Sequence, residues 1–128
     1  MGTVIQIFTD GSCSGNPGPG GWAFVEVDTF YQERGFNKHT TNNEMELFAI
    51  HKALEYAKKK EARDVKIVTD SLYCMNVCLG YWQKKKNTEL ITKIEEQIKE
   101  FKSVGFQWVK GHSGNQYNEL VDKLAKGW

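Results

Sequence analysis

Hydrophobic and polar positions along the first third of the chain follow the short repeat of β-strands. Runs rich in β-branched and aromatic residues predict strands at 4–9, 22–27 and 30–36, with a turn near Asp28. Between the first two runs, Asp10 is followed by a stretch rich in glycine, serine and proline, 11–21, which predicts a loop. Short connections between three strands favour an antiparallel meander.

From residue 44 onward, helical spacing alternates with short apolar runs. Leu47, Ile50, Leu54 and Ala57 recur at helical spacing and predict a helix at 44–60, with Asn42 or Asn43 as its N-cap. The remaining elements are predicted as a strand at 65–69, a short helix capped by Asp70 and Ser71 through about Leu79, a helix marked by Leu90, Ile94, Ile98 and Phe101, a strand at 106–110, a loop at 111–115 and a helix at 116–126.

The order of elements, written βββαβαβα, predicts an α/β fold: a five-stranded mixed sheet with helices on its faces. No linker, repeat or low-complexity stretch divides the sequence, so we expect one domain over residues 1–128.

Composition adds little to this picture. The net charge is +1, which by itself does not indicate a nucleic-acid-binding protein. Three cysteines without a CxxC pair favour reduced thiols, and Cys74 and Cys78 are expected in the core. Neither a signal peptide nor a long apolar segment is evident, so we expect a cytoplasmic protein without a membrane span.

Four acidic residues occupy positions that one shared chemical role explains better than four separate structural roles. Asp10 and Asp70 each end a predicted strand, and the carboxyl ends of neighbouring parallel strands share one sheet edge. Glu46 lies on the apolar face of its helix, and Asp122 lies beside Val121 in the last helix. Each acid alone also fits a turn, a helix cap or a helix surface.

Clustered carboxylates repel one another unless cations neutralise them. Oxygen ligands suit Mg²⁺, which leaves room for water and phosphate. Two such ions about 3.5–4 Å apart can clamp both oxygens of an in-line phosphoryl displacement. The hypothesis requires the four acids to converge in space.

Five ordered motifs surround these acids and cover essentially the whole chain, namely Asp10-Gly11-Ser12-Cys13 with 15–21, then 41–47, Thr69-Asp70-Ser71, 110–114 and 118–125. Together these motifs resemble those of the type 1 ribonuclease H family. The resemblance implies a ribonuclease H-like fold.

It also implies a function and the residues that perform it. Asp10, Glu46, Asp70 and Asp122 would bind two Mg²⁺ ions, with Mn²⁺ as an alternative metal, to hydrolyse the RNA strand of an RNA/DNA hybrid. The expected products carry 5′-phosphate and 3′-hydroxyl ends. His112, between two glycines on a loop, matches the histidine thought to assist proton transfer or product release.

Hybrid contacts follow from the same resemblance. Asn16, Asn42 and Asn43 match positions that read the RNA 2′-hydroxyl, for which an amide offers both a donor and an acceptor. Thr41 and Asn87 match positions that hold a phosphate of the DNA strand. Turn and helix-cap roles are the alternatives, above all for Asn42 and Asn43.

The chain departs from longer relatives after the third motif. The segment 81–87 is too short for their basic protrusion, an extra helix and loop. Its lysines, with Tyr81 and Trp82, are candidates for a reduced contact with the DNA strand through charge and stacking. Core packing of one or both rings is the alternative. Because the first motif begins so near the start, we expect no N-terminal hybrid-binding module. We also expect a monomer without an obligatory protein partner.

Three other functions compete with this one. A catalytically inactive hybrid-binding module is disfavoured because it would gain nothing from concentrating acids beside phosphates. The ribonuclease H domain of a reverse transcriptase is disfavoured by Met1 just before the first strand and the end at Trp128. A DNA nuclease or integrase-like relative on the same fold is disfavoured by the asparagines and His112.

Overall fold

One sheet contains all the strands of the described part of the chain. The computed structural model describes residues 3–111 and 114–127. Its strands are β1 (Thr3–Cys13), β2 (Gly18–Glu26), β3 (Gln32–Thr40), β4 (Ala62–Thr69) and β5 (Ser103–Trp108), arranged in the order β3-β2-β1-β4-β5.

The strand directions confirm the predicted mixed sheet. β1, β2 and β3 form an antiparallel meander, whereas β4 lies parallel to β1 and β5 lies parallel to β4. The two parallel connections pass through helices, as parallel strand pairs require.

Helices cover both faces of this sheet. Their bounds are α1 (Asn42–Lys59), α2 (Leu72–Cys78), α3 (Thr88–Ile98) and α4 (Gln116–Ala125). Side chains alternate along β1, so Ile7 joins the core formed with α1 and α3, while Phe8 joins a smaller core formed with α4. The helical segment between β4 and β5 consists of two helices, so the full order is βββαβααβα.

The largest correction concerns the glycine-rich stretch predicted as a loop at 11–21. β1 continues to Cys13 and β2 already begins at Gly18, with Gly11 opposite Trp22 and Cys13 opposite Gly20. Antiparallel pairing supplies backbone hydrogen bonds that outweigh the low strand propensity of glycine. Asp10 therefore lies inside a strand and does not end it.

Other boundaries differ by a few residues. β3 occupies Gln32–Thr40 where 30–36 was predicted, and β5 occupies Ser103–Trp108 where 106–110 was predicted. The N-cap of α1 is Thr41, whose hydroxyl accepts a hydrogen bond from the Glu44 amide, so the prediction of Asn42 or Asn43 was wrong. Among the described residues, no helix combines the length and the apolar character needed to cross a membrane.

Candidate active site

The parallel pairing of β1 and β4 brings the first two acids together. Phe8 pairs with Val68, so the same register continued by two residues sets Asp10 level with Asp70. β4 ends at Thr69, and β1 continues beyond it alongside β2. The predicted meeting of these two acids at one edge of the parallel strands is confirmed.

Glu46 reaches this edge because α1 approaches β1 very closely. A Cβ atom on Gly11 would lie 2.3 Å from the backbone nitrogen of Glu46 and 2.4 Å from the carbonyl carbon of Met45. Only glycine leaves room for this approach. The first turn of α1 thus delivers Glu46, which is buried, to the side of Asp10.

Three carboxylates form a tight cluster as a result. Asp10, Glu46 and Asp70 each offer an oxygen, and these oxygens lie within 4.8 Å of one another. The Asp10 Oδ1 atom accepts a hydrogen bond of 2.9 Å from the amide of Gly11. By contrast, Asp10 Oδ2 and Glu46 Oε1 are buried without a hydrogen-bond partner among the described residues.

Burial and mutual repulsion shift the ionisation of this cluster. Burial, followed by the charge of Asp70, raises the pKa of Asp10 to about 8. Burial, followed by the charges of Asp10 and Asp70, also raises the pKa of Glu46 well above its ordinary value. Both shifts arise first from burial, which disfavours the ionised carboxylate, and then from the charges of neighbouring acids.

Asp122 lines the same pocket, of about 420 Å³, from the side of α4. It does not belong to the set of three acids within 4.8 Å, although its charge also raises the pKa of Asp10. Its Oδ2 atom accepts a hydrogen bond of 3.1 Å from the Lys126 ammonium. The structure therefore brings all four predicted acids to one pocket, with Asp122 set slightly apart.

The donor set fits divalent cations with hard oxygen ligands. Unpartnered buried carboxylate oxygens have an unfavourable free energy that a cation would remove. Mg²⁺ prefers a few carboxylates together with water and phosphate oxygens, and the pocket is open enough to admit both.

A second pocket, of about 470 Å³, gathers most of the predicted hybrid-binding residues. It is lined by Asn16, Pro17, Thr41, Asn43, Tyr73, Gln83, Lys85, Lys86 and Asn87. Asn42 lines the carboxylate pocket instead, and its amide donates a 2.8 Å hydrogen bond to Asn16 Oδ1. Asn87 precedes α3 without capping it through its side chain, so its amide group is not used as a helix cap.

Tyr81 and Trp82 are 76% and 50% exposed, so neither residue is buried in the core, and the alternative of core packing for one or both rings is wrong. Neither ring lines the two pockets described above. Of the neighbouring lysines, Lys84 pairs with Glu95 at 2.6 Å, whereas Lys85 and Lys86 line the second pocket. His112 lies outside the described residues.

Two residues at the site were not predicted from the sequence. Gly11 is needed for the approach of α1, a role that a glycine in a supposed loop does not reveal. Lys126 was missed although a signal existed: it follows Asp122 by four residues, the spacing at which opposite charges pair on a helix.

Solved structures support the fold, and together fold and carboxylate pocket place the protein in the ribonuclease H-like class. The N-terminal RNase H domain of a Mycobacterium tuberculosis protein superimposes with a TM-score of 0.87 at 23% identity, covering 98% of this chain and 92% of that one. An RNase H of the halophilic archaeon Halobacterium salinarum gives 0.85 at 24% identity, covering 96% and 95%.

Sequence comparisons identify the family. The family model RNase H matches residues 2–127. A ribonuclease H of Pseudomonas fluorescens is 39% identical, with 98% of this chain and 91% of that protein covered, and one of a Bradyrhizobium species is 41% identical, with 96% and 88% covered. The chain belongs to the ribonuclease H family, metal-dependent nucleases that act on RNA/DNA hybrids, and it is a nuclease hydrolase.

Proposed function

We propose that this enzyme hydrolyses the RNA strand of RNA/DNA hybrids with two Mg²⁺ ions, leaving 5′-phosphate and 3′-hydroxyl ends. The observation that carries the proposal is the cluster of Asp10, Glu46 and Asp70, in which buried carboxylate oxygens lack a hydrogen-bond partner among the described residues. Asp122 completes the set of ligands from the side of α4. When bound, the two ions would supply an activated water and stabilise the leaving oxygen.

The chain's own residues would supply binding and orientation. The Gly11 amide orients Asp10 through its hydrogen bond to Oδ1. Asn16 and Asn43 line the second pocket and Asn42 lines the carboxylate pocket. Their amides would both donate to and accept from a 2′-hydroxyl. Thr41 and Asn87, with Lys85 and Lys86, would hold a phosphate of the DNA strand.

His112 is assigned the movement of a proton near the departing product, on the strength of its motif between Gly111 and Ser113-Gly114. Its replacement by alanine is expected to slow turnover less than loss of a carboxylate does. We also assign residues 1–128 to one catalytic domain that needs no protein partner.

The test is a cleavage assay on end-labelled RNA/DNA, RNA/RNA and DNA/DNA duplexes, with and without Mg²⁺. We expect Mg²⁺-dependent cutting confined to the RNA of the hybrid, with 5′-phosphate and 3′-hydroxyl termini on the products. Asp10→Asn should remove nearly all turnover. Glu96→Gln is a matched control, because Glu96 is an exposed acid on α3, and it should cleave like the wild type.

Two outcomes would contradict the proposal. Cleavage of the DNA/DNA duplex would favour the integrase-like alternative. Tight binding of the hybrid without any cleavage in Mg²⁺ or Mn²⁺ would favour a hybrid-binding module.

A further inference from the structure

Lys126 is the one cationic side chain among the described residues that line the carboxylate pocket. It stands at the C-terminal end of α4, and its ammonium lies 3.1 Å from Asp122 Oδ2, one helical turn earlier. Its side chain is 53% exposed, whereas that of Asp122 is 23% exposed. The charge of Lys126 is therefore tethered beside the acids by a flexible side chain that extends into solvent.

The pairing distinguishes Asp122 from the two buried acids, Asp10 and Glu46. Asp10 and Glu46 each keep a buried oxygen without a hydrogen-bond partner among the described residues. Asp122 already shares one oxygen with an ammonium group, so that oxygen is not freely available to another cation. A divalent ion approaching this Oδ2 atom must displace the ammonium and also overcome its repulsion.

We infer that Lys126 is an internal counter-cation, which neutralises Asp122 in the metal-free protein and is displaced when a divalent cation binds there. The inference rests on the proposed function, since it assumes that Asp122 is a metal ligand. Lys126 acts through Asp122 and is a positioning residue. It lowers the affinity of the pocket for free divalent ions.

The side chain is suited to this exchange. A partly exposed ion pair with one flexible partner is weak, so its displacement requires little free energy. After displacement, the ammonium still lies near the pocket because the backbone amide of Lys126 is fixed by a hydrogen bond to the carbonyl of Asp122.

The test measures binding of Mn²⁺ alone to the full chain, by the electron paramagnetic resonance signal of the free ion. Lys126→Gln removes the charge and should lower the dissociation constant about two- to fivefold, as expected from the loss of a partly exposed ion pair. Lys126→Arg keeps the charge and should bind no more tightly than the wild type. Lys123→Gln removes an exposed charge from the same helix outside the pocket and should have no effect.

An unchanged or larger dissociation constant in Lys126→Gln would overturn the inference. An equal change in Lys123→Gln would overturn it as well, since the effect would then be one of overall charge. Both results leave the proposed function intact provided that the wild type binds Mn²⁺ and Asp10→Asn does not. Failure of the wild type to bind Mn²⁺ would instead contradict the proposed function and also the inference that depends on it.

Discussion

Asp10 and Glu46 are acids in a place that disfavours their ionised form. Both are buried, both have raised pKa values, and each has an oxygen without a hydrogen-bond partner among the described residues. An arrangement that destabilises the metal-free fold is expected where the same groups serve a ligand. The sequence revealed these acids through their motifs, but their burial follows only from the packing of α1 against β1.

The first prediction concerns the pH dependence of stability in the metal-free protein. The pKa of Asp10 rises from 3.8 to about 8 on folding, so the folded state binds the additional proton between these two values. Stability should therefore fall as the pH rises from about 4 to about 8. Asp10→Asn should flatten this decline and stabilise the metal-free protein by about 1–3 kcal/mol at neutral pH.

Urea unfolding in the presence of a chelator, repeated across this pH range, measures the effect. The stability of Asp10→Asn should still decrease somewhat with rising pH, because the pKa of Glu46 is raised as well. Glu96→Gln, an exposed acid, should keep the wild-type slope. Identical slopes for Asp10→Asn and the wild type would show that Asp10 is not a repelled, buried acid.

At the scale of elements, β1 organises the site through its alternating side chains. Asp10 and Ser12 face α4, and the Ser12 hydroxyl donates a 2.8 Å hydrogen bond to the carbonyl of Ala125. Gly11 faces α1 and has no side chain to hold it away. Gly11 and Ser12 thus help to position the two helices that carry Glu46 and Asp122.

The close approach of α1 gives the second prediction. Gly11→Ala places a methyl group against the backbone of Glu46, which must shift. We expect a loss of about 3 kcal/mol in stability and at least about a tenfold loss in turnover by the remaining folded protein. Gly105→Ala in β5 is the control, because no heavy atom lies within 4 Å of its added Cβ, and it should change stability by less than about 0.5 kcal/mol. A fully active, stable Gly11→Ala would contradict the role of this contact.

Sequence periodicity predicted the type and approximate position of the elements better than the residues at which they begin and end. The helical spacing of Leu47, Ile50 and Leu54 located α1 because that spacing reflects one buried face. The continuation of β1 through Gly11 could not be predicted, since it depends on pairing with β2, a contact between distant residues. The N-cap was misassigned because Thr41 and both following asparagines are all good caps, and only the backbone decides among them.

At the scale of the whole molecule, the net charge is only +1, but acidic and basic side chains lie in different pockets. Acids fill one pocket, while Lys85 and Lys86 line its neighbour. This division suits a substrate whose cleaved strand needs cations and whose other strand is held through its phosphates. The monomeric state and the cytoplasmic location stay predictions.

The third prediction tests this division. The double variant Lys85→Gln/Lys86→Gln should raise KM for the hybrid and leave kcat nearly unchanged. Because counter-ion release scales with phosphate contacts, the dependence of log affinity on log salt should also weaken by roughly one to two units. Lys84→Gln is the matched control, since Lys84 is paired with Glu95, and it should retain the wild-type salt dependence. A fall in kcat with unchanged KM would contradict a role in binding.

The most direct test of the account is a diffraction measurement at the manganese absorption edge, on crystals of the enzyme soaked with Mn²⁺ in the presence of a hybrid. Two-metal binding predicts two anomalous peaks about 4 Å apart, between the carboxylates of Asp10, Glu46, Asp70 and Asp122. Peaks located away from these acids, or their absence at saturating Mn²⁺, would contradict it.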